Sequence, residues 1–305
     1  MGYLHIQNLY RPEGQFILLF KECYALEKIH GTSAHITFRP SDGSIRYSSG
    51  GESHNRFVSL FNEEALVKGF KDLGSPPDKD VTIYGEAYGG SQQGMSETYG
   101  KELRFIAFDV QIGDCWLTVP EASEIVEKKL GLEFVHYRKI STDLESLDSE
   151  RDCPSVQSIR NGVSFINNPL RQDGGIDNPK PREGVILRPL IEVTLNNGER
   201  LICKHKGDAF KETATLRPVV DPSKLKVLDD ANAVANEWVT AMRLEHVLDK
   251  LPGHCMEKMR DIISAMTEDV LREAKGEIVE SETVKKAIGK KAVEMYKNYL
   301  NTKIK

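Results

Sequence analysis

Over the first two thirds of the chain, short runs of β-branched and aromatic residues alternate with glycine, proline, aspartate and asparagine. Phe16 to Phe20 (FILLF), Ala34 to Phe38 (AHITF), Val81 to Gly89 (VTIYGEAYG), Leu103 to Val110 (LRFIAFDV), Gly184 to Pro189 (GVILRP) and Ile191 to Leu195 (IEVTL) each read as a strand. Asn196-Asn197-Gly198 followed by RLICKHK reads as a hairpin turn into one more. Glu63 to Leu73 and Glu121 to Leu130 instead place apolar residues at helical intervals. Ser141 to Asp177 is polar and carries no clear period.

After Leu216 the texture changes. Arg217 to Lys226 (RPVVDPSKLK) holds two prolines and reads as a linker. Beyond Asp229 the periodicity is helical. Ala233, Val234, Trp238, Ala241, Leu244 and Leu248 form one apolar stripe, and Met259, Ile262, Ile263, Met266, Val270 and Leu271 form another. Thr267, with Glu268 and Asp269 behind it, reads as a helix start and Gly276 as a stop. The pattern predicts an α+β domain over residues 1–220 and a small all-α domain over 228–305.

Composition narrows the setting more than the function. With 305 residues, 39% hydrophobic and 29% charged, the chain can bury a core without staples. Its five cysteines are scattered and include no CxxC pair, which argues against a disulfide framework or structural zinc and fits a reducing cytoplasm. No apolar run approaches membrane-spanning length and no signal-like leader opens the chain, so a cytoplasmic protein with no membrane partner is expected. Net charge is −5, which excludes a bulk polycation. The exception is local: from Lys285 onward seven lysines face one acid, Glu294, a density suited to phosphates although a solvated helix face has the same look.

Five short patterns carry candidate chemistry. In Glu27-Lys28-Ile29-His30-Gly31-Thr32, a lysine stands between a strand and a turn glycine, where it is held rigidly and partly desolvated. Such settings turn lysine into an amine nucleophile. Glu86 stands in the middle of a strand, an uncommon place for a carboxylate. Phe108 lies on a strand that could end at a nucleotide pocket and offer a ring for stacking. Glu183 opens the strand EGVI, and Lys204 and Lys206 alternate in ICKHK, so they share one face. Singly, each has a plain structural explanation.

In this order, KIHGT, a strand glutamate, an aromatic strand, an EG-hydrophobic strand and KxK, they resemble the covalent nucleotidyltransferases, the superfamily of ATP-dependent ligases and mRNA capping enzymes. The histidine of KIHGT resembles the RNA ligase 2 group in particular. WVTAMRLEHVLDKL (Trp238 to Leu251) and MTEDVLREAKGE (Met266 to Glu277) resemble that group's helical carboxy-terminal domain, where DNA ligases and capping enzymes carry an OB-fold. The resemblance implies an ATP-grasp-like nucleotidyltransferase domain of antiparallel sheets with flanking helices. It makes Lys28 the residue that takes AMP. Glu183, Lys204 and Lys206 support catalysis, with Glu183 also a metal ligand. Glu27, Ile29, His30, Thr32, Glu86 and Phe108 bind ATP, with Glu86 on the ribose and Phe108 on adenine. Arg243, Asp269 and Glu273 match supporting residues of the helical domain. Asp269 and Glu273, four apart on one helix, ask for a nearby cation. The family's phosphate-binding arginine has no counterpart at Ser48-Ser49-Gly50, leaving Arg56, or else Arg46, for that part.

The implied activity is ATP-dependent RNA ligation through lysyl-AMP, with Mg²⁺ or Mn²⁺. Its partner is RNA bearing 5′-phosphate and 3′-OH ends at nicks in duplex RNA or RNA/DNA hybrids, and the protein is expected to act as a monomer. A DNA nick ligase and an end-binding module without ligase activity are the alternatives.

Overall fold

A computed structural model describes residues 2–166, 175–215, 219, 227–251, 253 and 255–303. Apart from residue 219, the expected linker at 217–226 lies outside the described residues. Contacts divide the chain into two compact units, Met1–Gly207 and Asp208–Lys305.

In the first unit, β1 (Gln7–Asn8) and the short helix α1 (Pro12–Gln15) precede β2 (Glu22–Lys28), β3 (Thr32–Arg39) and β4 (Ser44–Ser49). Helices α2 (His54–Val58) and α3 (Glu63–Lys71) lead to β5 (Val81–Gly89). Helix α4 (Ser96–Tyr99) leads to β6 (Leu103–Ile112) and β7 (Cys115–Trp116). Then come α5 (Val119–Glu124), β8 (Tyr137–Ser141), α6 (Leu144–Arg151), α7 (Val156–Arg160) and the strand pair β9 (Phe165–Ile166) and β10 (Ile176–Asp177). The unit closes with β11 (Gly184–Pro189) and β12 (Cys203–Lys206).

Two five-stranded sheets result, ordered β1-β12-β11-β2-β8 and β4-β3-β5-β6-β7. Their pairings are antiparallel except that of β1 with β12. Side-chain alternation decides which face is buried: Thr32, Ala34, Ile36 and Phe38 of β3 turn inward. Against this face packs α3, started by the Asn62 side chain, which accepts from Ala65 N. Its Phe70 stacks on Phe38 at 5.0 Å. Burying one such ring contributes roughly 1.5–3 kcal/mol.

Three expectations change here. Phe16–Leu19 forms a 3₁₀ turn, not a strand, with Ile17 buried and Leu19 81% exposed. Ile191 to Leu195 makes one bridge, Thr194 to Arg200, around the expected turn, in which Gly198 N donates to Leu195 O. The unplaced stretch from Ser141 contains α6 and α7, whose starts are capped by Asp143 and Ser155; residues 167–174 lie outside the described residues.

The second unit is helical: α8 (Ala231–Trp238), α9 (Ala241–Lys250), α10 (Met259–Glu273) and α11 (Glu282–Lys303). Val234, Trp238, Leu244, Leu248, Ile262, Met266, Val270, Ile288 and Tyr296 belong to its core. The first apolar stripe is broken at Val239-Thr240, where Thr240 caps α9 through Arg243 N, and Ala241 is exposed. Thr267 does not start a helix. It lies inside α10 with its hydroxyl donating to Ile263 O, a bond within the preceding turn. Gly276 does follow the helix end, at φ +84°. Among the described residues no helix is long and apolar enough to cross a membrane, and all five cysteines are free.

Candidate active site

Register brings the distant motifs together. Gly184 of β11 pairs with Lys28 of β2 on one side and with Lys206 of β12 on the other. Both neighbours thus stand beside Glu183. The glycine is required by the approach: its φ is +148°, and a Cβ there would lie 2.2 Å from His205 O. Gly31 has the same necessity in the turn after Lys28, since a Cβ would lie 2.4 Å from Ala87 O and 3.0 Å from Glu86 Cγ.

Glu183, 1% exposed, is the hub of this arrangement. Its Oε2 accepts from Lys28 Nζ at 2.8 Å and contacts His30 Nδ1 at 3.0 Å. Its Oε1 pairs with Lys206 Nζ at 2.9 Å. Burial pushes its pKa up, but Lys206, Lys28 and His30 outweigh that and hold it well below the usual carboxylate value. His30 is in turn fixed through its backbone N–H, which donates to the hydroxyl of buried Tyr99 at 3.3 Å. Lys204, on the same face of β12 as Lys206, is buried. Just past β12, Gly207 N donates to Glu183 O at 2.9 Å.

Beside this hub a cavity of about 190 Å³ opens, with Lys28 on its wall. Leu26, Ile29, Val135, Ile186 and Ile202 give it apolar walls, Tyr3 and Phe108 give it aromatic ones, and Glu86 and Glu27 are its carboxylates. An apolar slot with few polar groups suits a flat base carried on a polar sugar. Glu27 is committed elsewhere: Oε1 accepts from Ser155 Oγ at 2.6 Å, and Oε2 accepts from the backbone N–H groups of Val156 and Gln157 at the start of α7. Burial raises its pKa against those bonds. Thr32 is buried where β3 begins, opposite Ala87.

The RNA ligase family model matches residues 21–206, from the edge of β2 to the last residue of β12. The chain belongs to the RNA ligase family. Solved structures agree in fold. A lysine-to-alanine mutant of Naegleria gruberi RNA ligase with ATP and Mn is 18% identical at a TM-score of 0.50, over 69% of this chain and 57% of that one. A lysine-to-methionine mutant of the same ligase with AMP and Mn is 17% identical at a TM-score of 0.50, with the same coverage. The chain thus spans little more than half the length of those structures. Comparison with curated protein sequences gives no match. Antiparallel sheets with flanking helices are the nucleotidyltransferase-like fold of RNA ligases, and a helical unit follows them here.

In this RNA ligase family member, the two candidate phosphate-binding arginines stand apart from the cavity. Arg56 does not line it: it sits on α2, 59% exposed, in an ion pair with Glu52 at 3.3 Å. Arg46 does not line it either, and pairs with Thr37, five residues along β3 from Thr32. Arg243, Asp269 and Glu273 belong to the helical unit. Arg243 is 1% exposed and bonds Asp269, the Glu212 carboxylate at 3.3 Å and Trp238 O at 3.0 Å. It supplies the cation that Asp269 needs, while Arg272 serves both Asp269 and Glu273.

Sequence reading missed Tyr3 and the cluster behind it. The Tyr3 ring meets Phe108 edge-on at 4.9 Å, and its hydroxyl donates to Asp109 Oδ2 at 2.7 Å. Buried Asp109 also binds Arg188 at 3.0 Å and Arg200 at 2.7 Å. The available signal was weak: Asp109 directly follows Phe108 in the run Phe105 to Val110, which is otherwise apolar.

For a metal, the donor set is informative. Among the described residues no group of three or more His, Cys, Asp or Glu side chains could hold an ion alone. The oxygens of Glu183 are already shared by Lys28, Lys206 and His30. This fits a divalent ion brought in on phosphate oxygens with one protein carboxylate, and does not fit a protein-built cage.

Proposed function

We propose that the protein is an ATP-dependent RNA ligase of the RNA ligase 2 type, which takes AMP onto Lys28 and spends it in joining RNA ends. The observation that carries this reading is Lys28 itself. Its amine borders an apolar, aromatic-walled cavity and touches a carboxylate flanked by Lys206. That the Naegleria relatives are solved with ATP or AMP and Mn supports the cofactor assignment.

In the first step Lys28 Nζ, having given up a proton to solvent and left Glu183, attacks the α-phosphorus of ATP. The N–P bond forms and the bond to pyrophosphate breaks. Phe108 and Tyr3 hold the adenine, Glu86 engages the ribose, and Ile29, Thr32, His30 and Glu27 shape the pocket. Arg56, or else Arg46, is assigned to the nucleotide phosphate, although neither lines the cavity itself. Lys204 and Lys206 neutralise charge gathering on the phosphates, an effect enlarged where water is excluded. Glu183 would help hold a divalent cation brought in with the triphosphate, whose charge would shield the departing pyrophosphate. Next an oxygen of a 5′-phosphate end takes the adenylyl group from Lys28. A 3′-OH then displaces AMP and closes the phosphodiester. Arg243, Asp269 and Glu273 support these steps from the helical unit. The substrate assigned is a nick in duplex RNA or in an RNA/DNA hybrid, and free cysteines fit a reducing cytoplasm.

The test is covalent labelling. Incubated with α-labelled ATP and Mg²⁺, the denatured polypeptide should carry label, GTP should give none, and Lys28→Ala should abolish it. Protein silent in all cases, even after pyrophosphate has stripped any bound AMP, would sink the reading. Label that discharges onto nicked DNA but not nicked RNA would redirect it to DNA sealing.

A further inference from the structure

The lysines of α11 from Lys285 to Lys297 divide into two sets. Val284, Ile288, Ala292 and Tyr296 form its buried stripe. At about 100° per residue, Lys286, Lys290 and Lys297 fall within about 40° of one another on the opposite side. All three are exposed, and among the described residues none makes an ion pair within 4 Å. Lys285 and Lys291 lie off this line and are matched with acids, Lys285 with Glu282 at 2.8 Å and Lys291 with Glu294 at 3.9 Å. Between Lys285 and Lys297 the run of lysines is therefore a row of three exposed charges about 16 Å long without an ion pair within 4 Å, Lys286 also feeling the charge of Glu282, beside two matched with acids.

We infer that the outer face of α11 is a docking surface for the sugar-phosphate backbone of an RNA strand, with Lys286, Lys290 and Lys297 each taking one phosphate. The identity of this polyanion rests on the ligase reading. The row sits on a chain of net charge −5, so its attraction is local and oriented. Backbone contacts of this kind place a strand without reading its sequence, which suits an enzyme that must act on ends of any sequence. A membrane surface fits less well. Membrane-lying helices bury an apolar face in lipid, whereas the apolar stripe of α11 is spent on its own core.

The experiment is the salt dependence of binding of the full chain to a fluorescent nicked RNA duplex, followed by anisotropy. Each phosphate contact adds about 0.9 to the slope of log affinity against log salt for a duplex. Lys286→Gln with Lys290→Gln should make the slope shallower by about 2, and Lys297→Gln by about 1. Lys285→Gln with Lys291→Gln, which removes the same charge from the matched set, should leave it where it was. Equal shifts from both double variants, or none from the row, would overturn the surface. So would loss of binding to phosphatidylserine vesicles in the row variant with its RNA slope unchanged. Labelling of the unaltered chain with α-labelled ATP is read separately, so its absence removes the ligase reading while the slopes still decide the surface.

Discussion

Glu183 owes its charge to its neighbours, because burial by itself favours the protonated acid. Its folded pKa lies well below its unfolded value of 4.5, so the resulting stability is fully present above that pH. It is lost as pH falls from there through the folded pKa. Urea midpoints of the unaltered chain and Glu183→Gln should therefore differ most at neutral pH and converge in acid. A gap that stays constant down to pH 3 would contradict this. Tyr3→Phe should cost about 1 kcal/mol, since it leaves Asp109 short of a donor. Tyr3→Ala should raise the ATP concentration for half-labelling of Lys28 by about tenfold through loss of the ring beside Phe108. Lys28, Glu183 and Lys206 are legible as short motifs because each sits beside its own glycine or lysine partner. The Tyr3, Asp109, Arg188 and Arg200 cluster is not, because it joins side chains as far as 197 positions apart.

Elements succeed or fail in sequence according to where their partners lie. β3, β5, β6 and β11 announce themselves by composition and period, since each is flanked on both sides by other strands. FILLF has the same composition and no ladder to join, so it winds into a turn. Thr267 followed by two acids imitates a helix start, yet the apolar positions Ile262, Met266 and Val270 carry α10 through it. Among the turns, the one after Lys28 tolerates least. Gly31→Ala drives a methyl into Ala87 O on β5, and a loss of about 1–3 kcal/mol in urea unfolding is expected. In the helical unit Arg243 ties the end of α8 to Glu212 and Asp269. Arg243→Ala should destabilise that unit by about 1.5–3 kcal/mol, visible as early loss of helical circular dichroism, because it removes the buried guanidinium that holds Trp238 O, Asp269 and Glu212 together. A variant that melts normally but ligates poorly would instead make Arg243 a direct contact to substrate.

Among the described residues there are two hydrophobic cores, one in each unit. Residues 208–305 expressed alone should give a helical spectrum and a cooperative melt reported by buried Trp238, and a broad, non-cooperative transition would contradict independent folding. The change of texture late in the chain marks this second core in the sequence, because helical periodicity needs no distant partner to be seen. The boundary between the units has a mechanical meaning. β12 ends at Lys206, the helical unit begins at Asp208, and the single residue between them is clamped by its bond to Glu183 O. A pull applied to the chain just beyond Gly207 therefore loads the strand bearing Lys204 and Lys206 directly. Tension from a held strand would travel along the covalent chain to the carboxylate that restrains Lys28. In an optical-trap tether the first yielding event should then be the unpinning of β12.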